Sequence, residues 1–248
     1  MLENNASLEA SFALNENTSN SSTGIIIFDD SQNSTDITLC IQALLANTDL
    51  TDSSIYLYTS KNKSDLNKIK WELFDSQNIN ICYNERRSLP QILADISSSS
   101  NFCSEIVLLS VRAIVASNWL TYLQQAAVLE DIGVVVSRQI RHRQNRNAWD
   151  LIPYAMDTNN IDVAISDKTN LILDPSFCEE KYLISLSKVS FFCLYFTQKI
   201  LDKVNFSEFA HNNLEAWLQN ISNAIVEQYQ MHMVYTPESK VYHAENFY

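Results

Sequence analysis

Short apolar runs alternate with segments of helical period through the first half of the chain, and this alternation constrains the fold more than any other feature. GIIIF (Gly24–Phe28) reads as a buried strand. The turn-like DDSQNSTD follows, then a helix over about 36–46 with Ile37, Ile41, Leu44 and Leu45 at helical spacing. SIYLYT (Ser54–Thr59) is a second strand, 64–75 a second helix, and INICY (Ile79–Tyr83) a third strand. The next helix, Pro90 to Ser98, holds Pro90 in its first turn, where a missing N–H costs nothing. IVLL (Ile106–Leu109) then runs through a short polar turn into a helix opening at Trp119 and Leu120, and GVVV (Gly133–Val136) closes the series. Strands linked by helices in this order form a parallel, doubly wound sheet with right-handed crossovers. The expected fold class is α/β, with a mostly parallel sheet flanked by helices.

After Ile140 the order loosens. RHRQNRNAWDLIPYAMDTNN reads as a loop, DVAIS (162–166) as a strand, and SFFCLYF (Ser190–Phe196) as a further strand whose aromatic side chains belong in the core. A helical pattern covers about Leu214 to Gln228, and HMVYTPESKVYH ends the patterned region. Residues 1–22 are Asn/Ser-rich and polar, which suits a flexible N-terminal arm. With no repeat and no linker after it, 23–248 is expected to form a single domain.

The 248 residues are 46% hydrophobic, enough for one substantial core. A net charge of -12 argues against a nucleic-acid partner, which would need clustered Lys and Arg over a broad face. No run approaches the roughly 20 apolar residues of a membrane-spanning helix, and the first residues lack the pattern of a signal peptide. A cytoplasmic location is therefore expected. Five widely spaced cysteines suit reduced core thiols better than a disulfide framework. Only two glycines occur, Gly24 and Gly133, where average usage of about 7% would supply about 17. Either the chain has few places for a glycine-built phosphate loop, or Asn has taken over positions that need the left-handed backbone.

TGIIIF with CIQALLANTD (Cys40–Asp49), IVLL, WLTYLQQ with GVVVSRQ, FFCLYF, and VYTPESKVYH occur in the order found in family-2 glycosyltransferases, and over about 23–243 the chain resembles that family. The resemblance implies a GT-A, Rossmann-like fold. It also implies a nucleotide-binding half over about 23–140, an acceptor half over 141–248, and a nucleotide sugar held between them at the carboxyl ends of the strands.

The same resemblance marks where this sequence departs from the family. After the first strand, Asp29 and Asp30 stand in place of a Pro-x-Tyr-Asn-like turn; two acids there can hydrogen-bond a uracil or ribose, or form a solvated turn. Thr59 and Ser60, followed by Lys61, replace an Asp that contacts the base. Arg86 to Asp95 has no Gly where the family approaches the nucleotide, and reads as an ordinary helix. Ser110, Val111 and Arg112 replace the acidic metal motif, and a guanidinium, with donors only, cannot ligate a cation. The family's acidic catalytic base falls at His211-Asn212-Asn213-Leu214-Glu215, leaving Glu215 either as the surviving base or as an acid favoured by the dipole of a helix's first turn. His243 falls where related enzymes place a His near the metal or diphosphate, and here is either a weak metal candidate or a surface residue.

Arg138, Arg141, Arg143 and Arg146 cluster in RQIRHRQNR and form either a solvated basic loop or a patch for an anion or an acidic partner surface. The expected function is accordingly that of a glycosyltransferase-like protein, catalytically degenerate and acting as a scaffold or partner in glycan assembly, with no cofactor and no divalent metal. A protein partner or homo-oligomer and a nucleotide sugar are the candidate partners. The alternative is an active metal-independent sugar transferase with Arg112 on the diphosphate and Glu215 as base.

Overall fold

The structure is a computed structural model that describes residues 23–29, 34–61, 79–83, 88–98, 103–142, 151–154, 184–186, 191–209 and 213–244. The N-terminal arm, the helix expected over 64–75 and the strand expected over 162–166 lie outside these residues.

A first group of strands comprises β1 (Thr23–Phe28), β2 (Ser53–Thr59), β3 (Ile79–Tyr83) and β4 (Glu105–Ser110), all mutually parallel in the order β3-β2-β1-β4. The helices between them are α1 (Ser34–Asn47) and α2 (Leu89–Ser98). The sheet continues as β9-β6-β10-β5. Here β5 is Ala113–Val115, β6 Ile132–His142, β9 Cys193–Phe196 and β10 His232–His243. Two short strands, β7 (Leu151–Tyr154) and β8 (Ile184–Leu186), pair with β6 and β10. In this half β10 runs parallel to β6, whereas β9 is antiparallel to both β4 and β6 and β5 is antiparallel to β10. The α/β sheet is therefore parallel on one side and mixed on the other.

Alternation along each strand divides the interior between the two faces of the sheet. Ile25, Ile27, Ile55, Leu57, Val107, Leu109, Cys193 and Tyr195 face α1 and α3 (Trp119–Ala127). Ile26, Tyr56, Tyr58, Ile106, Leu108, Val134, Val136, Leu194 and Phe196 face α2, α4 (Gln198–Leu201) and α5 (Leu214–Asn223). Both faces are covered, which is why the central strands read as nearly unbroken apolar runs. Each fully buried Ile or Leu contributes about 1.5–3 kcal/mol through removal from water.

Two elements differ from the sequence reading. The stretch after Ile140 is not all loop, because β6 continues to His142 and its last four residues pair with Leu151–Tyr154. Ile140 is buried between polar neighbours, an alternation that suits a strand covered on one face. The turn after β4 also holds a strand, β5, whose apolar Ala113-Ile114-Val115 pairs with the end of β10.

The glycine deficit has a local answer. Positive φ is taken by Asn118 (61°), Asp131 (60°) and Gln230 (53°), and by no glycine among the described residues. Gly133 serves close packing instead, since a Cβ there would lie 3.3 Å from Met231 Cβ and 3.4 Å from Ile200 Cβ.

Candidate functional site

The carboxyl ends of β1, β2 and β4 bring Asp29, Thr59, Ser60, Ser110 and Arg112 to one edge of the sheet. The register aligns Phe28 with both Tyr58 and Ser110, so the residues that follow them leave the sheet at the same level. Asp29 N–H donates to Tyr58 O at 2.9 Å, and Val111 N–H to Phe28 O at 3.1 Å, which extends the ladder just past the strand ends.

At one corner of this edge Asp29 is held from two sides. Thr59 Oγ1 donates to Asp29 Oδ2 at 2.6 Å, and Lys61 Nζ lies 2.7 Å from the same oxygen. Thr59 Oγ1 in turn accepts Lys61 N–H at 3.1 Å. The Asp29 side chain is only 1% exposed and that of Lys61 12%, so the ion pair is largely withdrawn from water. Buried charges persist when paired and hydrogen-bonded in this way. Ser60, beside it, is exposed. Asp30 lies outside the described residues.

The second corner is built on the β4 turn. Ser110 is buried, its N–H donates to Phe192 O at 2.9 Å, and its Oγ accepts Arg112 N–H at 3.2 Å. Arg112 O accepts Ala244 N–H at 2.8 Å, and His243 pairs with Ala113, so the end of β10 is laced to this turn. The His243 ring stacks on Phe192, with centroids 4.7 Å apart and planes 11° from parallel. The structure thus brings His243 beside Ser110-Val111-Arg112, two segments more than 100 residues apart in the chain.

Beneath this corner lie two buried thiols. Cys40 Sγ contacts Ser110 O at 4.0 Å, and burial, with lesser effects from Cys193 and Asp36, pushes its thiol far above the ordinary range. Cys193 is pushed up to about 12 by burial, partly offset by the hydrogen bond from Ser137 Oγ at 3.1 Å. Both are protonated core thiols at neutral pH, without the thiolate character that nucleophilic cysteines need.

The remaining sequence candidates separate. Arg138 sits in β6, aligned with Lys240 of β10. Arg141 belongs to the β6 backbone, but its side chain lies outside the description, as do Arg143 and Arg146 entirely. Glu215 is exposed in the first turn of α5, and the amide beside it has a structural role: Asn213 Oδ1 accepts the N–H groups of Glu215 at 2.9 Å and Ala216 at 3.4 Å, forming the N-cap. The π-turn after α5 (Ala224–Gln228) feeds β10, so Glu215 occupies the end of the helix away from that junction. α2 is an ordinary amphipathic helix, burying Leu89, Ile92, Leu93 and Ile96.

Sequence reasoning missed two contributors. Lys61 was noted only as a residue following the strand, because its partner Asp29 is 32 positions away. Asp36, 5% exposed in the first turn of α1 and close enough to Cys40 to raise its thiol, entered the sequence reading only as the start of a helix. Among the described residues no three His, Cys, Asp or Glu side chains gather as a metal site. No described helix is long and apolar enough to cross a membrane.

A mixed sheet of this order, covered by helices on both faces, is a GT-A-like fold. The chain is similar to the crystal structure of GalNAc-T7 with UDP, GalNAc and Mn2+, with a TM-score of 0.64 and 16% identity over 90% of this chain. It spans 43% of the length of that neighbour. No protein-family model and no curated protein sequence matches the chain.

Proposed function

We propose that this chain is a glycosyltransferase-like protein, of family-2 character, that retains the donor-binding architecture without the donor chemistry and acts as a non-catalytic scaffold or partner in glycan assembly. In this reading residues 23–248 form one domain, with a nucleotide half over about 23–140 and an acceptor half over 141–248, working in the cytoplasm. The GT-A-like neighbour is described with UDP and Mn2+, which supports regarding the carboxyl edge of the sheet as the ancestral donor side.

The observation that carries the reading is how the polar groups at that edge are engaged. The Asp29 carboxylate is bound by Thr59 and Lys61, and Ser110 Oγ is taken by the Arg112 N–H. A transferase that uses a divalent cation needs free carboxylate oxygens at the end of β4 to hold it against the diphosphate. This turn offers a buried hydroxyl and a guanidinium instead.

The test incubates the full chain with a panel of nucleotide sugars, with and without Mn2+, and measures released nucleotide diphosphate. The expected result is release no faster than in buffer, and a melting temperature that Mn2+ does not change. Release that is independent of metal and lost in Glu215→Gln would overturn this reading in favour of a transferase with Arg112 on the diphosphate and Glu215 as base. Stabilisation that requires Mn2+ would overturn both.

A further inference from the structure

We propose that the amino end of the sheet, around the starts of β6 and β10, is a docking surface for a positively charged segment of another protein that carries apolar side chains. β4, β6 and β10 run in the same direction, so this surface lies at the opposite end of the strands from Asp29, Ser110 and Arg112. The inference goes beyond the loss of catalysis and stands whether or not a sugar donor is turned over.

The exposed large hydrophobic residues among those described are Val128, Leu129 and Val226, at 80%, 48% and 43% exposure, and all three belong to this end. Val128-Leu129-Glu130-Asp131 joins α3 to β6, and Val226 stands on the π-turn that feeds β10. Backbone bonds draw these segments together: His232 N–H donates to Asp131 O at 2.7 Å, and Met231 N–H to Ile225 O at 2.9 Å. From a third side, Lys199 Nζ of α4 donates to Leu129 O at 3.2 Å, and Thr197 Oγ1 to Ile132 O at 3.0 Å. The apolar side chains therefore stand on a backbone tied to α4, β6 and β10.

A single exposed aliphatic residue needs no explanation, but an exposed group gathered at one end of a sheet marks an interaction surface. Elsewhere the described strands and helices keep their large aliphatic residues covered, as Ile25, Leu44, Leu108 and Ile225 are.

The charge around the patch selects its occupant. Glu130, Asp131, Asp202 and Glu227 are exposed in the same elements, against Lys199 and Lys203, and Lys199 is bonded to Leu129 O. The local balance is negative, in a chain of net charge -12. It disfavours the chain's own N-terminal segment, which joins the sheet at the same end through Thr23 but holds Glu3, Glu9 and Glu16 and no Lys or Arg over 1–22. It equally disfavours a two-fold contact with a second copy, which would set the same acids against one another. A basic segment with apolar side chains matches both the aliphatic centre and the acidic rim.

The test titrates the full chain with a fluorescent peptide of leucines and lysines at helical spacing, reading anisotropy. Binding is expected, and it should weaken as salt is raised. Val128→Ser together with Leu129→Ser should weaken it about tenfold with the melting temperature unchanged, and Val226→Ser should weaken it less. Glu130→Gln should also weaken it, whereas Glu238→Gln, the same loss of charge at the carboxyl end of β10, should not. Absence of binding overturns the proposal. So does equal binding by an all-lysine peptide, which would report net charge alone, or by a leucine–glutamate peptide, which would report apolar contact alone. Self-association of the full chain that is lost in the Val128→Ser, Leu129→Ser variant would overturn it in favour of a second copy.

Discussion

In the parallel half of the sheet, β1 and β4 bury Ile25, Ile26, Ile27, Val107, Leu108 and Leu109 with no exposure, and the acid at the edge, Asp29, is neutralised within the half by Thr59 and Lys61. In the mixed half, β6 and β10 bury Ser137, Gln139, Thr236 and Ser239 among apolar neighbours and carry two cations side by side at the same edge. The first half is held by area, which is non-directional and tolerant of small shifts. The second depends on particular hydroxyl bonds and an irregular register, which are directional and specify positions.

The largest effect should come from the apolar half. Ile26→Ala removes a fully buried side chain from the sheet centre and should cost about 2–5 kcal/mol, measured by urea unfolding. A cost below about 1 kcal/mol would mean that this half relaxes freely, against its description as a close-packed core.

Next is Lys61→Ala, which strips a buried carboxylate of its cation and should cost about 1–3 kcal/mol. The double change Asp29→Asn with Lys61→Met should recover much of that loss, because the penalty lies in the orphaned charge rather than in a missing attraction. If the double variant is as unstable as the single one, the corner is held by packing and the contrast between the halves weakens.

The two thiols at the boundary give a pH prediction. Burial raises Cys193 to about 12 and Cys40 further, from an ordinary value of 9.0. A folded pKa above the unfolded one means that the contribution is whole below the ordinary value and is lost as pH rises through the folded one. Stability should therefore fall above about pH 9, and Cys193→Ala should remove on the order of 1 kcal/mol of the loss between about pH 8 and 10.5. Equal falls in the variant and the wild type would assign the alkaline loss to other groups, the buried Tyr58 and Tyr195 among them.

The smallest change tests how the chain manages with so few glycines. Gln230, two residues past the π-turn, has φ 53°, and Gln230→Gly should stabilise by about 0.5–1 kcal/mol by relieving the left-handed strain, net of the entropy glycine adds to the unfolded state. Destabilisation would show that the Gln230 side chain contributes more than its backbone costs.

The sequence itself determined the parallel half almost residue by residue. Its strands are continuous apolar runs and its helices carry regular spacing, and local periodicity suffices where both faces of a strand are buried in the same way. It also determined the chemistry of the β4 turn, since the identity of Arg112 alone rules that side chain out as a cation ligand. The mixed half was legible only in outline. β5 looked like a turn, and the end of β6 looked like a basic loop. What made them strands is pairing, of β5 with β10, more than 120 residues further along, and of the end of β6 with β7. The site divides in the same way. Asp29, Thr59, Ser110 and His243 were identifiable as types, but only the tertiary structure set Lys61 on Asp29, stacked His243 on Phe192 and placed Lys240 beside Arg138. Each of these depends on register between strands or on contacts across the sheet, and a register is a property of two segments that neither one encodes alone.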